Sequence, residues 1–165
     1  PLQPVRPVRP PEPNTPTLVL LTEDDCLPET LFPAHLDVRS VAIFPSSRLR
    51  SPRPVAEAVA SFDKGALGDA GERFGEGYET LDAASPEGLA ALAGRAGARQ
   101  VLAPFSPTGP LKDFLDAAAP SFERQGLCLS ECRRRWDDAV WQHASAGFFK
   151  VKKQIPNILD TMAAA

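Results

Sequence analysis

Thr17-Leu18-Val19-Leu20-Leu21 is an unbroken apolar run, cut off by the polar stretch Thr22-Glu23-Asp24-Asp25. A run this short, without alternation, suits a strand covered on both faces, as strands of parallel sheets are. Residues 38–44, stopped by Pro45, read the same way, as do 99–105 and 127–130, with a short fifth strand at 78–81. Between them lie helical stretches. Residues 54–74 set Val55, Val59, Phe62 and Leu67 toward one side, although Gly65, Gly68 and Gly71 each weaken a helix by about 1 kcal/mol relative to alanine. Ser85-Pro86-Glu87 combines a capping hydroxyl, a first-turn proline and a carboxylate at the positive end of the helix dipole, and Gly97 is the matching stop. Residues 110–125 repeat the design, with Thr108 as the cap, Leu111, Phe114 and Leu115 facing inward, and Gly126 at the end.

Parallel neighbours need crossover connections, and the helices supply them. The expected fold class is therefore α/β: a doubly wound, Rossmann-like, mainly parallel sheet of four or five strands, followed by a C-terminal helical aromatic segment. Leu18, Leu20, Val41, Ile43, Val101 and Leu102 are its expected centre. Such sheets place ligands at the carboxyl ends of their strands, near the switch in strand order. That rule selects a rim of Thr22, Glu23 and Asp24 after the first strand and Ser106, Thr108 and Gly109 after the fourth. Neither loop is a known phosphate cradle, and no glycine-rich sequence ends in Lys-Ser or Lys-Thr. His143 and Ser145, two apart, do not face one another on a helix, and no nucleophile elbow accompanies them. Cys128, Cys132, His35 and His143 lack the paired spacing of a zinc site. No catalytic residue and no metal ligand is assigned.

A chain of 165 residues with 43% hydrophobic and 24% charged residues has the length and composition of one soluble globular domain. Its formal charge of -3 gives no global reason to expect nucleic acid, no apolar run is long enough to span a membrane, and no signal pattern opens the chain. The expected setting is cytoplasmic, with Cys26, Cys128 and Cys132 as small buried hydrophobes. Pro1, Pro4, Pro7, Pro10, Pro11, Pro13 and Pro16, interleaved with Arg6 and Arg9, make residues 1–16 a proline-rich linker of extended backbone. A linker leads to the expectation of a partner domain before Pro1; the alternatives are a tail without a partner and a proline-rich segment that other proteins recognise. Residues 17–163 form the expected α/β domain, with 132–163 its helical segment. Both tryptophans and six basic residues, Arg133, Arg134, Arg135, Lys150, Lys152 and Lys153, crowd into that last part. A solvated helix face accounts for the cations, so the isolated chain is expected to bind DNA weakly or not at all. Trp136, Val140 and Phe148 are assigned to the domain's own core, while Trp141, Phe149 and Lys150 are left for docking.

Arg135-Trp136-Asp137, Trp141-x-His143-Ala144 and Gly147-Phe148-Phe149-Lys150-x-Lys152-x-x-Ile155-Pro156 together resemble the end of a bacterial photolyase/cryptochrome-like family of FAD-binding DNA photolyases. Residues 18–25 and residues 104–109, which precede a helix with Asp113 and Leu115, are similar to it as well. The resemblance implies a helical FAD-binding domain N-terminal to Pro1, joined through the proline-rich linker to this α/β domain. Any deoxyribodipyrimidine photolyase activity, the FAD itself and any contact with DNA would belong to the full-length protein. No position here matches the flavin-binding residues, so no cofactor is expected in this chain alone. The resemblance leaves open an antenna pigment, and Trp136 and Trp141 are not carried over as electron-transfer residues. The alternative from the residues themselves is a free-standing α/β protein that binds a small ligand or a nucleotide.

Overall fold

The computed structural model describes residues 5–74, 77–81 and 85–163. Two compact units make up the chain: Arg9–Cys132, and Pro1–Val8 together with Arg133–Ala165.

The first unit is the α/β sheet. Strands β1 (Pro16–Thr22), β2 (Asp37–Phe44), β3 (Glu79–Thr80), β4 (Gln100–Pro104) and β5 (Cys128–Cys132) lie in the order β3-β2-β1-β4-β5, all parallel. Helices α1 (Glu57–Phe74), α2 (Pro86–Arg95) and α3 (Pro110–Gln125) make the last three crossovers. The fold is Rossmann-like, as the sequence predicts. Successive side chains of β1 point to opposite faces, and both faces are packed. Leu18 and Leu20 join Ala42, Phe44 and Val101 in a cluster with Leu89 and Leu92 of α2 and Phe114, Leu115 and Phe122 of α3. Val19 and Leu21 join Val41, Ile43 and Leu102 with Leu67 and Ala70 of α1 and with Phe32. All six residues assigned to the centre are buried.

The helix signals hold at α2, where Ser85 Oγ accepts from the Gly88 amide at 3.1 Å. They fail at α3. Gly109, not Thr108, occupies the cap position, and no side chain bonds the first amides. On α1 the inward face is set by Leu67 and Ala70, while Val59 and Phe62 are 46% and 73% exposed. Asp63 takes an inward place instead, buried, with Oδ2 lacking any hydrogen bond among the described residues. A buried carboxylate oxygen without a donor costs about 1–3 kcal/mol. Asp63→Leu is therefore expected to raise the melting temperature, and an unchanged or lower midpoint in a thermal melt would show that the carboxylate is satisfied.

The glycines of α1 have different reasons. A Cβ on Gly71 would come within 2.7 Å of the Tyr78 ring, and one on Gly68 within 2.9 Å of its hydroxyl, whereas Gly65 has open space. Tyr78 thus lies where the helix surface has no side chains. Gly65→Ala is expected to stabilise by about 1 kcal/mol through helix propensity, and Gly71→Ala to destabilise by about 1–3 kcal/mol through overpacking. Urea melts of the two variants should move in opposite directions.

The proline-rich lead-in is fastened over its second half. Buried Gln100 donates from Nε2 to the Glu12 carbonyl at 3.0 Å, and its Oε1 accepts from the Glu12 amide at 3.0 Å. The Glu131 amide of β5 donates to the Arg9 carbonyl at 2.8 Å.

In the second unit, α4 (Arg135–Trp141), α5 (Phe148–Lys152) and α6 (Ile155–Ala163) are short, and α4 packs on α6. Gly147, with φ of 77°, makes the change of direction before α5 in a region of backbone that other residues enter only with strain. Ile158 is buried, but no residue of α4 or α5 is. Trp136 and Phe148 are 40% and 64% exposed and Val140 is half-buried, so the assignment of these three to a core is corrected. Helices of seven and five residues have too few turns to bury a continuous apolar face.

Candidate functional site at the carboxyl ends of the strands

β1 and β4 are neighbours, yet the chain leaves β1 toward β2 and leaves β4 toward β5, so the strand order reverses between them. A crevice opens at such a point because the two exit loops diverge. Here it is a cleft of about 470 Å³ lined by Asp24 from the β1 loop, by Ser106, Thr108 and Gly109 from the β4 loop, by Leu111 at the start of α3, and by Arg50. Four of the six residues assigned to the rim therefore come together. Thr22 and Glu23 do not line the cleft. Thr22 is buried at the end of β1, and Glu23 is turned aside, its Oε2 accepting from the Ser46 amide at 2.8 Å and its Oε1 from the Ser46 hydroxyl at 2.9 Å.

Arg50 was not legible in the sequence. Its Nη2 donates to Asp24 Oδ1 at 2.6 Å and lies 3.4 Å from Glu23 Oε1, so the acidic rim is partly neutralised by a cation reaching back across the fold. Being half-exposed, the pair contributes about 1 kcal/mol or less to stability. Below the floor, the Ser106 amide donates to Glu131 Oε1 at 3.1 Å, with both residues buried. This bond gives the β4 loop a fixed path over β5. The cleft can hold a small polar molecule by hydroxyl, carboxylate and guanidinium contacts.

Among the described residues no group of three His, Cys, Asp or Glu is placed to hold a metal ion. No helix among them is long and apolar enough to cross a membrane. The three cysteines are free and partly buried. Burial pushes the Cys26 thiol above the usual range, with nearby Asp25 and Glu23 adding to it against the opposing effect of Arg73; burial alone raises Cys132. Only the thiolate reacts with alkylating reagents. Alkylation of Cys26 and Cys132 should therefore lag that of an unhindered model thiol at neutral pH and accelerate only at higher pH. Rates that follow the model thiol by mass spectrometry would contradict this.

In the helical unit, Arg133 is a structural cation rather than part of a solvated face. Its Nε lies 2.5 Å from Asp138 Oδ1 and its Nη1 donates to the Arg6 carbonyl at 2.8 Å, with only 12% of the side chain exposed. Phe148 and Phe149 meet edge to face with centroids 5.8 Å apart, and Phe149 is 75% exposed. Lys150 is exposed and Trp141 is 38% exposed, so all three residues assigned to docking are accessible.

No protein-family model, curated protein or solved structure matches this chain.

Proposed function

We propose that this chain is the non-catalytic α/β module of a flavin-dependent, photolyase/cryptochrome-like protein, serving light-dependent DNA repair or light sensing. It would dock on a helical FAD-binding domain that precedes Pro1. The observation that carries the reading is the exposed aromatic and basic surface of the C-terminal unit, in the segment whose sequence resembles that family. Large rings left in water are costly, and Trp and Phe beside cations are the residues that anchor interfaces. A Rossmann-like sheet fits the α/β partner that the resemblance implies. FAD, DNA and any antenna pigment would be handled by the full-length protein.

The test uses the full-length gene product. It should purify with bound flavin, and Trp141→Ala with Phe149→Ala and Lys150→Glu should leave the flavin bound while exposing the α/β module to limited proteolysis. A gene encoding no helical flavin domain before Pro1, or a variant with unchanged protection, would refute the proposal. The second reading, a small-ligand or nucleotide-binding α/β protein, is favoured by the cleft at the β1 and β4 ends. It predicts ligand binding that is lost on Ser106→Trp in the chain alone.

A further inference from the structure

A separate cavity of about 370 Å³ lies at the carboxyl ends of β2 and β3, against α1. Its wall has two chemical halves. Pro45, Val55 and Ala60 are apolar, whereas Lys64 and Arg48 bring cations and Ser47 and Thr80 bring hydroxyls. Ala60 and Lys64 sit one turn apart on α1, so the helix presents an apolar contact and an ammonium to the same space. Among the described residues no carboxylate lines it. That is contrary to the charge of its surroundings, since Arg9–Cys132 holds eleven basic against eighteen acidic residues.

Arg48 is held in place by the carbonyls of Pro45, at 3.3 Å from Nε, and Leu81, at 3.2 Å from Nη2, and its guanidinium lies 5.8 Å over the Phe44 ring. Lys64 makes no hydrogen bond or ion pair with the described residues. A cavity of this size is at the small end of the range of about 300–1,000 Å³ for small-molecule sites, which are mostly apolar with a few placed polar groups.

We propose that this cavity binds a small organic anion, with a phosphate or carboxylate head on Lys64, Arg48, Ser47 and Thr80 and an apolar body against Val55, Ala60 and Pro45. Both heads accept hydrogen bonds from an ammonium and from hydroxyls, and the guanidinium favours planar or bidentate acceptors. The site shares no lining residue with the β1–β4 cleft and does not depend on the flavin-domain reading.

The experiment titrates the full chain with naphthyl phosphate, naphthoate, naphthol and inorganic phosphate by calorimetry. At least one naphthyl anion should bind once per chain, about tenfold or more tighter than naphthol and than inorganic phosphate; the stronger of the two names the head group. Lys64→Glu and Ala60→Phe, both at exposed helix positions, should each weaken that binding about tenfold or more while leaving the thermal midpoint in place. Anions that bind no better than naphthol would overturn the proposal. So would unchanged affinity in both variants, which would place the naphthyl group elsewhere, for example on the exposed phenylalanines.

Discussion

Val101→Asp should abolish the cooperative melt of Arg9–Cys132 near room temperature. Val101 is fully buried in β4, opposite Leu18 of β1 and Leu129 of β5, and belongs to the cluster beneath α2 and α3. The side chains of that cluster are apolar and offer a carboxylate no hydrogen bond. The side chain must either stay ionised in an apolar layer or take up a proton, and burial of an unbonded polar group costs about 4 kcal/mol or more in either case. Domains of this size have only about 5–15 kcal/mol in total. Circular dichroism during heating is the measurement, with the exposed substitution Phe62→Asp as the control expected to melt normally. A Val101→Asp protein melting within a few degrees of the parent would mean that β4 is not a central strand.

Gln100→Leu comes next in expected effect, at about 2–5 kcal/mol. Gln100 is fully buried, and its amide group bonds both backbone groups of Glu12, the Thr17 hydroxyl at 2.8 Å and the Ser130 hydroxyl at 3.2 Å. Leucine fills a similar volume but supplies none of these bonds, and each polar group left dry costs about 1–3 kcal/mol. The loss should be local as well as global. Hydrogen exchange at the Glu12 amide should accelerate by far more than exchange at Leu20, in the middle of β1. Equal acceleration at both would mean that Gln100 contributes only to the overall melt and does not fasten the lead-in.

What could be read from the chain, and what could not, divides along the range of the interactions. Leu18 through Leu21 needed only their own neighbours to declare a strand covered on both sides, and Ser85-Pro86-Glu87 carried its cap within three residues. That Asp24, Ser106, Thr108 and Gly109 line one cleft was legible because the residues following β1 and β4 meet where two adjacent parallel strands diverge. Arg50 was not, since its partner Asp24 lies twenty-six residues away and no periodicity links them. Gln100 and Glu131 read as ordinary polar residues, and only the assembled sheet gives them buried partners. On α1 the apolar positions Val59 and Phe62 suggested a face, but the helix is turned so that Asp63 and Leu67 look inward. Trp136 and Phe148 were assigned to a core from their positions on expected helical faces, Trp136 one turn from Val140, and the short helices that carry them leave them accessible.

The bond from the Glu131 amide to the Arg9 carbonyl also bears on how the sheet behaves in a crowded solution. An outermost strand with unoccupied amides is a template on which another chain can add itself and begin a fibre. At one margin β3 pairs through only two residues, too short a template to extend. At the other, the lead-in lies beside β5 and occupies one of its outward amides. Pro10, Pro11 and Pro13 in that cover have no amide hydrogen to offer to a newcomer. Replacing them with residues that carry an amide would turn the cover into a further strand edge, so the prolines that stiffen the lead-in also terminate the sheet against polymerisation.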